Sequence, residues 1–246
     1  MTVTPNLIYE FNDTPTLSKA LNNLILTESK KAITERGLFS IALSGGSIAK
    51  QLAAELPKYD VTNWHFFFAD ERCVPLDSED SNYLGFVGIF ESLNVPKSNI
   101  HTINPDLVND PTKAAEDYSL NLINVLGTNP RLDVILLGMG PDGHTCSLFP
   151  GHPLLDEKKL LVAPIFDSPK PPPKRITITY PVISAARVAV FVACGEGKAD
   201  ILHRMVDLQE DYPAGRVHLN DGKLYWFVDS GAVSKIKGGQ HKTTTE

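Results

Sequence analysis

The stretch Val134-Ile-Leu-Leu-Gly-Met-Gly-Pro-Asp-Gly-His144-Thr-Cys-Ser-Leu-Phe-Pro150 decides how this chain is read. Four apolar residues form a buried strand, which then breaks into glycines and presents one histidine just past its carboxyl end. In open α/β sheets ligands bind at that edge, because the strand-to-helix loops converge there. An imidazole held among small, turn-forming neighbours is suited to proton transfer near neutral pH. The same histidine also fits a loop-capping or hydrogen-bonding role.

Working outward, short apolar runs alternate with longer amphipathic ones, the pattern of βα units around a mostly parallel sheet. The expected fold is α/β, built on that sheet. Helices are expected over 16–36, where Leu17, Leu21, Leu24 and Ile25 share a stripe, and over 48–56, stopped by Pro57. Others are expected over 83–93, 112–126 and 199–208. Strands are expected over 38–43, 64–69, 134–137, 175–179, 188–193 and 224–228. Asp80, Ser81 and Asn82 resemble a helix cap before Tyr83. The 168–174 segment, Ser-Pro-Lys-Pro-Pro-Pro-Lys, is stiff and is expected to be an ordered surface loop. Residues 1–237 read as one domain and 238–246 as a disordered polar tail.

The 246 residues carry a net charge of −6, with 42% hydrophobic and 21% charged side chains. This is a globular composition without a basic footprint for nucleic acid. Three scattered cysteines, Cys73, Cys146 and Cys194, do not form a disulfide framework and suit a reducing compartment. No apolar run approaches the roughly 18 residues of a membrane span, and the N-terminus lacks a signal-peptide pattern. A cytoplasmic protein, monomeric or weakly homo-oligomeric, is expected. Neither the cysteines nor the seven histidines show paired zinc-ligand spacing, so no metal is expected.

Beyond His144, four places carry candidate chemistry. Ser44-Gly45-Gly46-Ser47 joins a strand to a helix and lets the backbone approach an anion, although such a turn is also a good connector. Asp70-Glu71-Arg72 ends an aromatic strand, where Arg72 would offer planar donors to a phosphate or an oxyanion. Lys198 falls in a first helical turn, where a cation opposes the helix dipole. Arg175 is a further candidate cation. Asp142 either orients the ring of His144 or caps the following turn. Cys146 reads as a small apolar filler rather than a nucleophile.

Taken in order, Leu-Ser-Gly-Gly-Ser47, Ala-Asp-Glu-Arg-Cys-Val-Pro75, the Gly138–Pro150 block, Arg-Ile-Thr-Ile-Thr179 and Gly-Glu-Gly-Lys198 resemble the 6-phosphogluconolactonase family. The likeness spans residues 8–230. Cys146 and the 167–173 segment look most like the stand-alone animal-type form. The resemblance implies the three-layer α/β/α fold of glucosamine-6-phosphate deaminases, a mostly parallel sheet between helices, and hydrolysis of 6-phospho-D-glucono-1,5-lactone in the oxidative pentose phosphate pathway, with no cofactor. It further implies His144 as the catalytic residue, aided by Asp142 and Arg72. Ser44, Gly45, Gly46, Ser47, Asp70, Arg175 and Lys198 would contact the phosphosugar lactone. In the related deaminases the histidine block continues into an Asn-Glu pair. Here Ser147-Leu148-Phe149-Pro150 offers no carboxylate, which favours the lactonase over a deaminase or isomerase. A non-catalytic phosphosugar sensor on the same scaffold is the remaining alternative.

Overall fold

The computed structural model describes residues 8–54, 59–237 and the backbone of 241–244. The strands are β1 (Ile8–Phe11), β2 (Phe39–Leu43), β3 (Trp64–Phe68), β4 (Asp70–Arg72), β5 (Val134–Leu137), β6 (Val162–Ile165), β7 (Arg175–Ile178), β8 (Val188–Ala193), β9 (Lys223–Asp229) and β10 (His241–Thr244). The helices are α1 (Thr14–Arg36), α2 (Ile48–Ala54), α3 (Val87–Ser92), α4 (Pro111–Leu126), α5 (Tyr180–Ala185), α6 (Ala199–Val206) and α7 (Ser230–Val233).

Seven strands form a parallel sheet in the order β10-β1-β9-β8-β5-β2-β3. Its central strands bury both faces, as crossover helices require of parallel sheets. On β5, Val134 and Leu136 enter one apolar cluster with Leu17 and Leu21 of α1, Leu52 of α2 and Phe90 of α3. Ile135 and Leu137 enter the other, with Tyr118 of α4, Ile183 of α5 and Leu202 of α6. Helix α1 begins two residues before its expected start, because Asp13 caps Thr16 N–H at 2.7 Å and Pro15 is tolerated in a first turn. It ends at Gly37, whose φ of 81° is left-handed.

The mostly parallel central sheet agrees with expectation, but the 175–179 strand does not join it. Strand β7 lies antiparallel between β4 and β6 in a separate three-stranded sheet. The chain leaves β3 at Ala69, whose N–H donates to Leu43 O and whose carbonyl accepts from Ile178 N–H. That residue couples the two sheets. Residues 241–244 pair in parallel with β1 as an edge strand. Residues 238–240 and 245–246, and the expected helix end at Leu56 and Pro57, lie outside the described residues. No helix among the described residues is long and apolar enough to cross a membrane.

Strand β2 leads onward to β3 on one side, while β5 leads to β8 on the other. Their neighbouring carboxyl ends therefore form the switch point at which an open α/β sheet makes its crevice. The two loops singled out in the sequence, 44–47 and 138–144, leave from those two strand ends.

Candidate active site

A cavity of about 260 Å³ opens at this switch point, between the Ser44–Ser47 turn, Asp70 and Arg72 of β4, the Gly138–His144 loop, Arg175 of β7 and Lys198. The structure thus gathers every candidate except Asp142 on one wall or another. Asp142 stands directly behind His144.

The 138–144 loop is a tight fold-back. Gly140 N–H donates to His144 O at 2.9 Å, and Gly143 N–H donates to Gly140 O at 3.0 Å. Gly143 has φ +77°, which excludes most side chains. A Cβ on Gly140 would lie 2.0 Å from His144 Nδ1, so glycine is what lets the ring lie over the loop. His144 Nδ1 is 2.5 Å from Asp142 Oδ1, and the ring packs 4.9 Å from that of Phe149. Burial pushes the Asp142 carboxyl up, but the hydrogen bond and charge of His144 and those of Lys170 outweigh it and hold the group at about 2. Between an ionised carboxylate and Nδ1 at this distance there must be a proton. Nδ1–H therefore donates to Asp142, and in the neutral ring Nε2 carries the free lone pair. Burial lowers the His144 pKa below its ordinary 6.5, overcoming the opposing pull of Asp142.

Asp142 Oδ1 meets both His144 and Lys170. Among the described residues its hydrogen-bond partners are these two side chains and no backbone N–H group. Lys170 is the residue that sequence reasoning missed. Its Nζ lies 3.1 Å from Asp142 Oδ1 and 3.1 Å from His144 Nδ1. The only signal for it was a cation locked between prolines.

The cations divide into two kinds. Lys198, just before α6, donates to Met139 O at 2.6 Å; burial lowers its pKa, with Lys170 adding repulsion. Arg72 donates from Nη1 to Asp80 O at 2.8 Å, and its buried Nε has no hydrogen-bond partner among the described residues. These two keep donors for a ligand. Arg175 is 3% exposed and bonds Pro172 O through Nε, Lys170 O and Pro171 O through Nη2, and Ser147 Oγ through Nη1. Most of its fork is already committed to the proline loop.

Asp70 is also buried. Its Oδ2 accepts from Ser147 Oγ at 2.6 Å, and its Oδ1 accepts from Asn82 Nδ2 at 3.3 Å. Ser81 and Asn82 do not cap a helix as expected: Asn82 makes no side-chain cap bond. Instead the Asn82 amide donates to Asp70 O at 2.8 Å, and Ser81 Oγ donates to Glu71 Oε2 at 3.2 Å. Glu71 itself takes the cap role, accepting the N–H groups of Asn82 at 2.7 Å and Tyr83 at 2.9 Å. Buried Asn82 in turn fills the space above Gly45, where a Cβ would meet its Oδ1 at 1.9 Å. Cys146 is buried with its thiol pKa pushed up by burial, the state of a filler and not of a nucleophile. Among the described residues no group of three or more His, Cys, Asp or Glu is placed to hold a metal ion.

Residues 12–226 match the family described as glucosamine-6-phosphate isomerases/6-phosphogluconolactonase. The chain belongs to this family. Within it, 44% identity over 242 residues links the chain to the human 6-phosphogluconolactonase, covering 93% of each. A probable 6-phosphogluconolactonase of Schizosaccharomyces pombe is 41% identical, covering 94% of this chain and 96% of its own. The solved 6-phosphogluconolactonase of Thermotoga maritima superposes with a TM-score of 0.77 at 29% identity, over 91% of this chain and 99% of its own. The mostly parallel sheet with helices on both faces is thus a fold this chain shares with that solved lactonase.

Proposed function

We propose that this chain hydrolyses 6-phospho-D-glucono-1,5-lactone to 6-phospho-D-gluconate, with His144 activating the attacking water. The observation that carries this reading is the oriented Asp142–His144 pair on the wall of a cleft that also presents Lys198 and Arg72. The related sequences named above are lactonases or probable lactonases, and the residues after His144 lack a deaminase-type carboxylate. Ser147, which stands in that stretch, is fully buried and turned to Asp70.

In this scheme Nε2 of neutral His144 accepts a proton as water oxygen bonds to C1. Charge then gathers on the C1 oxygen, where Arg72 and loop N–H groups are the available donors. The C1 to ring-oxygen bond breaks, and the imidazolium returns its proton to the departing ring oxygen. The leaving alkoxide stays tethered, so no covalent enzyme intermediate is needed. The new carboxylic acid ionises to the product.

Lys198 is assigned to the phosphate. The assay compares freshly generated phosphorylated lactone with unphosphorylated gluconolactone, each corrected for its spontaneous hydrolysis. Lys198→Ala is expected to lower kcat/KM for the phosphorylated substrate by about 10- to 100-fold, as for a lost charge-assisted contact, and to leave the unphosphorylated one nearly unchanged. An equal fall for both would remove Lys198 from phosphate recognition. No rate above the spontaneous one, in the unaltered chain, would overturn the lactonase reading itself.

Water activation by an imidazole also predicts metal independence. Dialysis against a strong chelator, with metal content checked afterwards, is expected to leave the rate unchanged. Activity lost to the chelator and restored by a divalent cation would contradict the scheme.

A further inference from the structure

We propose that Lys170 is a positioning residue, which holds Asp142 and His144 as an oriented pair while keeping the imidazole neutral. The inference rests on the reading of His144 as the base, and it adds a third member drawn from a different part of the fold.

The loop between β6 and β7 delivers this lysine with little freedom. Arg175 holds the carbonyls of Lys170, Pro171 and Pro172 at 3.0, 3.1 and 3.1 Å. Ser168 Oγ donates to Lys170 O at 2.8 Å and accepts from Lys170 N–H at 3.2 Å, and Ser168 N–H reaches Pro173 O at 3.1 Å. Prolines flank the lysine on both sides, removing backbone freedom that a loop would otherwise keep. The buried Arg175 thus acts as a clamp on the segment that carries the ammonium.

The ammonium then meets both members of the pair at 3.1 Å. It donates to Asp142 Oδ1; toward His144 Nδ1, which already carries its proton for Asp142, it stands as a neighbouring positive charge. Lys170 does not line the cavity, and its ammonium bonds these two side chains.

An aspartate that orients a histidine also stabilises its imidazolium, and a protonated ring cannot act as a base. A cation on the same carboxylate cancels that charge without giving up the hydrogen bond that aligns the ring. The groups facing His144 are Asp142 from its own loop, Lys170 from the β6–β7 loop, Asp70 from β4 and the apolar ring of Phe149. The two carboxylates favour the imidazolium, while Lys170 and burial oppose it. Lys198 stands close enough for Lys170 and Asp142 to affect its charge, so the positive side of the cleft continues into this cluster.

The test follows the His144 imidazole by NMR titration in the intact chain and in Lys170→Met and Lys170→Arg, beside kcat/KM against pH for the same three proteins. In Lys170→Met the ring is expected to titrate about one unit higher, the effect of losing one close like charge. The acid limb of kcat/KM is expected to move with it. Lys170→Arg restores the charge and is expected to titrate with the unaltered chain. An unshifted His144 in Lys170→Met, or an equal shift in both variants, would overturn the proposal. If the NMR shift appears and the kinetic limb fails to follow, Lys170 keeps its hold on the pair and His144 is not the base.

Discussion

With His144 replaced by alanine, kcat/KM for the phosphorylated lactone is expected to fall roughly 10²–10⁴-fold, the usual contribution of a positioned general base. The fold is expected to survive. His144 lies on a cleft wall, its backbone carbonyl still accepts from Gly140 N–H, and its side-chain bond is to Asp142. Asp142 would keep Lys170 as a partner, so no buried charge is left alone. Far-ultraviolet circular dichroism and thermal unfolding check the fold, and initial rates above the spontaneous reaction check the chemistry. His144→Gln sharpens the test, because glutamine can donate to Asp142 but cannot take a proton from water. A glutamine variant that kept most of the rate would turn His144 from a base into a hydrogen-bond donor.

The parts of this fold that were legible in the sequence are those whose signal is local. Leu17, Leu21 and Ile25 recur at helical spacing and are buried together along α1. The Val-Ile-Leu-Leu run of β5 is apolar throughout because both of its faces are covered. The glycines after β5 placed His144 at the ligand edge. What was not legible depends on partners distant in the chain. Strand β4 consists of Asp70, Glu71 and Arg72, which resembles a solvated loop until N–H groups from Asn82 and Tyr83 satisfy the Glu71 carboxylate. Strand β6 contains Pro164, which weakens any strand reading and is tolerated at the edge of the small sheet. Lys170 looked like surface charge in a proline loop, since its partners lie 28 and 26 positions away. Arg175 reads in sequence as a candidate cation, and most of its fork is taken by backbone carbonyls that no sequence pattern reveals.

Gly140→Ala is expected to lower kcat/KM on the order of 10²-fold, although it adds one methyl group and removes no functional atom. The added Cβ would fall 2.0 Å from His144 Nδ1, 2.1 Å from its Cε1 and 2.5 Å from Asp142 Oδ1. No pair of atoms tolerates such distances, so the imidazole must swing off the carboxylate that fixes its tautomer. The backbone need not resist the change, because Gly140 is not among the glycines with positive φ. The cost therefore falls on the site and leaves folding largely intact. Gly88→Ala, on α3 away from the cleft, has open space around the new Cβ and no positive φ, and serves as the control for a bare glycine replacement. Beside the kinetics, the imidazole N–H held between His144 and Asp142 should give a low-field proton resonance that disappears in Gly140→Ala and persists in Gly88→Ala. A Gly140→Ala protein with that resonance and an unaltered kcat/KM would mean the loop carries the ring differently, and the orienting role of Asp142 would fall with it.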